Sequence, residues 1–108
     1  MRQQRSVAVD QVNSYINEIA ALNDKIAQSS GAGLNTSSLQ DQRDAKIDQL
    51  SKLVGVQSTL QPDGSVNLSL KGGQPLVVGN RAATVQLDPG SQSLSVVFGT
   101  ETFQLGAD

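Results

Sequence analysis

The chain of 108 residues has no cysteine, no histidine and no tryptophan. Without thiols or imidazoles it has no disulfide framework, no cysteine nucleophile, no histidine base and none of the common zinc-ligand sets. Most enzyme classes go with them. Aromatic side chains are equally sparse, Tyr15, Phe98 and Phe103 being all there are. An interior must therefore be built from Val, Leu, Ile and Ala. No run of Lys or Arg occurs and the formal net charge is -2. That removes the basic footprint of a nucleic-acid binder or a membrane-surface helix, so neither nucleic acid nor membrane is expected as a partner. No apolar run approaches the length of a membrane span, and the first residues lack the apolar core of a cleavable signal peptide. Composition alone leaves the compartment open.

What is present divides into two unlike halves. From about Val7 to Ala27, Val12, Tyr15, Ile19, Leu22 and Ile26 recur at steps of three or four, the spacing of a seam between helices. A helix of this length is roughly 30 Å long, and so narrow an apolar stripe needs a partner to be stable in water. The Gly- and Ser-rich stretch from Ser29 to Ser38 lets the chain reverse. A second helix then carries Leu39, Ile47, Leu50, Leu53 and Val54 on one face. Ser37 and Gln40 fit a capping box at its start, and Gly55 fits a left-handed residue at its end. The expected seam of the antiparallel hairpin is Ile19, Leu22 and Ile26 against Ile47, Leu50 and Leu53.

After Gly55 the periodicity becomes alternating. Val56, Ser58 and Leu60, then Val66, Leu68 and Leu70, flank Pro62-Asp63-Gly64, which predicts a β-hairpin with Gly64 at a positive backbone angle and Val56, Leu60, Val66, Leu68 and Leu70 directed inward. Turns at Gly72-Gly73 and Asp88-Pro89-Gly90 separate short runs at Pro75 to Val78, Ala83 to Leu87, Leu94 to Phe98 and Thr102 to Leu105. The fold class is thus α+β: an N-terminal antiparallel helical hairpin (1–55, part of a larger helical domain) followed by a small antiparallel β-domain of about six strands (56–108, incomplete). The last strand runs almost to Asp108, and the chain reads as a piece of a longer protein.

No constellation of chemical groups stands out. Asp41, Asp44 and Asp48 share a helical face, but side chains diverge from a straight helix and Arg43 and Lys52 supply counter-charge, so a solvated face is expected rather than a cation site. Gly72-Gly73 and Gly79 precede no helix start and read as turns, not as a phosphate cradle. Asn35-Thr36-Ser37 and Asn67-Leu68-Ser69 match a glycosylation pattern too short to carry weight. Asn23, near the stripe of the first helix, either sets the register of a helix pair or faces water. The sequence therefore indicates no catalytic residue, no cofactor-binding residue, no metal ligand and no enzyme.

Four blocks in order do carry a resemblance: Ile19-Ala20-Ala21-Leu22-Asn23 with Ile26; Leu39-Gln40-Asp41-Gln42-Arg43-Asp44 followed by Leu50-Ser51-Lys52-Leu53-Val54; Pro62-Asp63-Gly64-Ser65-Val66; and Gly73-Gln74-Pro75-Leu76-Val77-Val78-Gly79. Between about Val12 and Gly79 the chain resembles the family of the first hook-associated protein of the bacterial flagellum; no block is recognised from Arg81 to Asp108. The resemblance implies a middle segment of a structural protein at the hook-filament junction, without catalysis or cofactor. It further implies export by the flagellar type III route to an extracellular place in the flagellum, with Met1 an added start. The implied partners are other copies of itself and the neighbouring axial proteins, namely the hook protein and the second junction protein. Lacking the terminal helices, the isolated piece is expected to be a monomer or weak dimer. A surface-exposed binding or adhesin module on a helical stalk is the alternative, disfavoured for sugars by the scarcity of aromatic rings.

Overall fold

The structure is a computed structural model that describes residues 2–87 and 94–105, with side chains from Ala8 onward within those ranges. Helix α1 (Arg2–Gly31) and helix α2 (Ser37–Ser51) form the hairpin. Lys46 of α2 meets Glu18 of α1 at 3.3 Å and lies 5.9 Å from the centre of the Tyr15 ring; because the short connection 32–36 brings α2 back along α1, the helices run antiparallel.

Helix α1 is longer than its heptad stripe suggests and its reversal tighter. Gly33 adopts φ +76, with its N–H on the Ser30 carbonyl and the Leu34 N–H on the Ser29 carbonyl. This is the left-handed C-terminal cap in which two orphan carbonyls are satisfied. That cap ends α1, while the left-handed end expected for α2 at Gly55 does not form. Gly55 is not among the positive-φ glycines. Helix α2 ends earlier, at Ser51, by tightening: the Leu53 and Val54 N–H groups both turn back to the Leu50 carbonyl. At the start of α2 the capping box expected from Ser37 and Gln40 does not form, and Thr36 stands at the N-cap without a side-chain bond to the backbone. Gln40 Nε2 donates to Thr36 Oγ1 at 2.8 Å, while the Ser37 N–H is taken by Asn35 Oδ1 at 2.8 Å.

The expected hairpin forms from β1 (Val56–Leu60) and β2 (Val66–Leu70), in regular antiparallel register. Strands β3 (Pro75–Val78) and β4 (Arg81–Ala82) complete a sheet of order β1-β2-β3-β4. A second antiparallel sheet follows, β5 (Thr84–Leu87), β6 (Leu94–Phe98) and β7 (Glu101–Gln104), in order β5-β6-β7. Among the described residues seven strands stand where about six are expected. The extra one arises because the run beginning at Arg81 belongs to both sheets, β4 pairing with β3 and β5 with β6. Between them Ala83 is buried and donates its N–H to the Leu76 carbonyl at 2.8 Å, keeping the corner bonded as the chain changes sheets. The turn expected at Asp88-Pro89-Gly90 lies outside the described residues.

One core joins both halves of the chain. Ile16, Ile19 and Leu50 from the helices are fully buried with Leu68, Leu76, Val77 and Val96 from the two sheets. Each such side chain contributes about 1.5–3 kcal/mol by leaving water. The buried face of α1 is broader than the heptad stripe because it serves two neighbours, α2 on one flank and strands β3, β4 and β5 on the other. Ile16, Ala20 and Asn23 are thus buried as well, and Tyr15 is half-buried. Two apolar residues depart from expectation. Leu53 is 40% exposed because it falls beyond the end of α2 and leaves the seam. Leu60 is 70% exposed although its alternation places it on the inner face, because β1 is the outermost strand of its sheet. Between Ala8, Val9 and Val12 of α1, Leu53-Val54 and the two sheets lies an apolar cavity of about 190 Å³, bordered also by Leu94 and Leu105.

Candidate functional site

The densest set of buried polar groups among the described residues is the one that fixes helices to sheets. It begins with Pro62-Asp63-Gly64. The turn closes with Gly64 N–H on the Gln61 carbonyl at 3.0 Å and Gly64 at φ +89, as the turn chemistry requires. Asp63 Oδ1 accepts from the Ser65 hydroxyl at 2.6 Å and from the Ser65 N–H at 2.9 Å. These two donors, the hydroxyl first, hold the Asp63 carboxyl below the usual carboxylate range.

Two side chains from the helices then seize the strand that leaves the turn. Arg43 of α2, only 3% exposed, donates Nη1 to the Gly64 carbonyl, and its Nε and Nη2 reach Asp44 Oδ1 at 3.2 and 3.1 Å. Asn23 of α1, 1% exposed, accepts the Val66 N–H on Oδ1 at 3.0 Å and donates Nδ2 to the Val66 carbonyl at 2.8 Å and to the Gly79 carbonyl at 2.9 Å. Val66 pairs with Leu60 of β1 on its other side, so the Asn23 amide fills the place a neighbouring strand would take beyond the end of β3. Gly79, at φ +61, completes the knot by donating its N–H to Asn67 Oδ1 at 2.9 Å. Residues from all four sequence blocks thus converge: Asn23, Arg43, Gly64 with Val66, and Gly79.

Asn13 repeats the device ten residues earlier on α1. Its Oδ1 accepts the Val85 N–H at 2.7 Å and its Nδ2 donates to the Val85 carbonyl at 2.9 Å, which closes the outer edge of β5. The same helix therefore grips each sheet through one side-chain amide. No side-chain nitrogen or oxygen buried in the described residues lacks a partner.

The acidic triplet of α2 behaves differently. Asp41, Asp44 and Asp48 are exposed, Asp44 bridging to Arg43 at 3.1 Å and Asp48 to Lys52 at 3.6 Å. The described residues hold no group of three or more Asp or Glu placed to share a metal ion. Gly72-Gly73 forms a turn, with Gly73 at φ +97 and its N–H on the Leu70 carbonyl. Of the readings open for Asn23, exposure to water is overturned, and its partners are strands rather than the other helix. Arg43 and Asn13 were the missed residues. A signal for Arg43 was there, since Leu39, Arg43, Ile47 and Leu50 are spaced four, four and three, placing the cation on the apolar stripe rather than beside it.

Residues 1–106 match the family model described as the flagellar hook-associated protein FlgK helical domain. The chain belongs to the FlgK helical-domain family. Flagellar hook-associated protein 1 of Escherichia coli (strain K12) is 36% identical over 100 residues, 86% of this chain and 18% of the relative. Its counterpart in Salmonella typhimurium is 40% identical over 86 residues, 78% of this chain and 16% of the relative. Among solved structures, the flagellar hook junction protein FlgK from Burkholderia pseudomallei superposes with a TM-score of 0.80 at 34% identity, covering 97% of this chain and 20% of that one. The chain thus spans about a fifth of the FlgK relatives it matches. The family match extends past Gly79, where no block was recognised, through both sheets.

Proposed function

We propose that this chain is the segment of a hook-associated protein 1 that gives the hook-filament junction of the bacterial flagellum one of its rigid modules, working through subunit contacts and without catalysis. The observation that carries the reading is the family match over residues 1–106, and the convergence of the four blocks on one tie between helices and sheet supports it. In this reading 1–55 is part of a larger helical domain and 56–108 the start of a β-rich one. The full-length protein leaves the cell by the flagellar type III route and meets other copies of itself, the hook protein and the second junction protein. The isolated chain is a monomer or weak dimer that forms no filament.

The test is genetic. A strain without the parent gene should build hooks and shed its filament subunits into the medium, and full-length protein should restore attached filaments. Normal filaments in the deletion strain would overturn the reading.

A further inference from the structure

The edges of the two sheets are not treated alike. The outer edge of β5 is closed by Asn13, β4 has two residues, and β7 carries Glu101. Strand β1, Val56–Leu60, is five residues long, contains no charge and no proline, and pairs with β2 without a bulge. Edge strands are commonly blunted by charges, prolines, bulges or covering groups, and β1 has none of these among the described residues.

The ladder shows which backbone groups face outward. The Gln61 N–H bonds to the Ser65 carbonyl at 2.8 Å, so by the alternation of antiparallel pairs Thr59 and Gln57 exchange bonds with Asn67 and Ser69. Val56, Ser58 and Leu60 therefore turn their N–H and C=O groups away from β2. The pairing of Val66 with Asn23 on the far side of β2 follows the same alternation. These outward residues are symmetric about Ser58. We propose that β1 is a homotypic docking edge, on which a second copy of this chain pairs its own β1 antiparallel about a two-fold axis at Ser58.

In that arrangement Ser58 exchanges hydrogen bonds with Ser58 of the second copy, and Val56 with Leu60 at each end. Side-chain complementarity selects the same register. Leu60, 70% exposed in one copy, is set beside Val56 of the other on the inner face, and Gln57 faces Thr59 on the outer face. An open groove between α2 and β1, bordered by Ile47, Val56 and Ser58 and, at its α2 rim, by Asp44 and Asp48, leaves room on that inner face. Such an interface is isologous and closes at two copies, so it makes dimers and not fibres. The inference rests on the sheet geometry and is independent of the flagellar role.

Sedimentation equilibrium of the 108-residue chain tests it. A five-residue edge buries far less than the ~1,200 Å² of a stable interface, so the average mass should climb from monomer toward dimer only above ~0.1 mM. A constant monomer mass to ~1 mM would overturn the proposal. Ser58→Pro removes an outward N–H that no bond among the described residues uses, and should abolish the dimer while Thr102→Pro on β7 leaves it intact. A crosslink makes the test independent of how the proline variant folds. The chain has no cysteine, so Ser58→Cys supplies a unique thiol at a pair distance a disulfide can span. Mild oxidation should couple it at least ~10-fold faster than Thr102→Cys, through the raised local concentration of the paired thiols. Equal rates for the two variants, or a dimer that survives Ser58→Pro in folded protein, would refute the two-fold pairing.

Discussion

Asn23 and Asn13 perform one task at two depths. Both lie on α1, and both clasp the N–H and C=O of a single valine, Val66 in one sheet and Val85 in the other. Asn23 is sealed from water and serves a second carbonyl, that of Gly79, whereas Asn13 is half-buried and serves Val85 alone. A hydrogen bond in water is replaceable; a buried group that loses its partner keeps the full penalty of desolvation. The comparison therefore separates the geometry of a clasp, which is shared, from its energetic weight, which burial sets.

The largest effect should come from Asn23→Leu, which orphans the Val66 N–H and C=O and the Gly79 C=O at once. Chemical denaturation should show a loss of about 3 kcal/mol or more; a loss under ~1 kcal/mol would mean that water reaches these groups and the two sites do not differ in depth. Next is Gly64→Val, beside the Asn23 tie. An added Cβ there meets Ile26 Cγ2 at 3.1 Å and the residue sits at φ +89. Strain and contact together should lower stability by about 1–3 kcal/mol in thermal melts. Asn13→Ala should cost about 1 kcal/mol, because solvent is at hand for the freed Val85 groups. Amide exchange should quicken at Val85 far more than at Val66.

The smallest effect sharpens the contrast by pH. Asp63, exposed, has its pKa depressed by the Ser65 hydroxyl and then by the Ser65 N–H. The folded state therefore prefers the carboxylate, and the unfolded chain binds the proton more readily. That stability is present above the ordinary carboxylate pKa of about 4 and is lost as pH falls through the lower folded value. Asp63→Asn should thus melt below wild type at pH 7, with the gap narrowing at acid pH. A gap constant with pH would assign the effect to turn geometry instead of charge.

Much of the architecture was legible because it is local. Heptad spacing marked the first helix and an apolar stripe the second, alternation marked β1 and β2, turn signals separated the later short runs, and Pro62-Asp63-Gly64 announced its turn and the positive angle of Gly64. The family resemblance rested on the right residues. Their roles were not visible, since Asn23 and Val66 are 43 positions apart and Asn13 and Val85 are 72 apart. Periodicity reports the face a residue occupies, not the strand it meets there. The helix stops were misjudged for a related reason. Gly55 qualifies by identity as a left-handed end for α2, but α2 stops at Ser51 by turning back onto the Leu50 carbonyl before the chain reaches it. The division into two sheets hid in a single residue, Ala83, whose side chain interrupts no pattern.

That corner has a mechanical consequence. A strand shared between two sheets would ordinarily be a hinge, with each sheet free to tilt on the flexible residue between them. Here both sheets are also fastened to one 30-residue helix, at Asn13 and at Asn23, about 15 Å apart along its axis. A hinge clamped on both sides to the same rod cannot swing without shearing one clamp. Torque applied to either sheet is then carried along α1 as load, and the module turns as a single body.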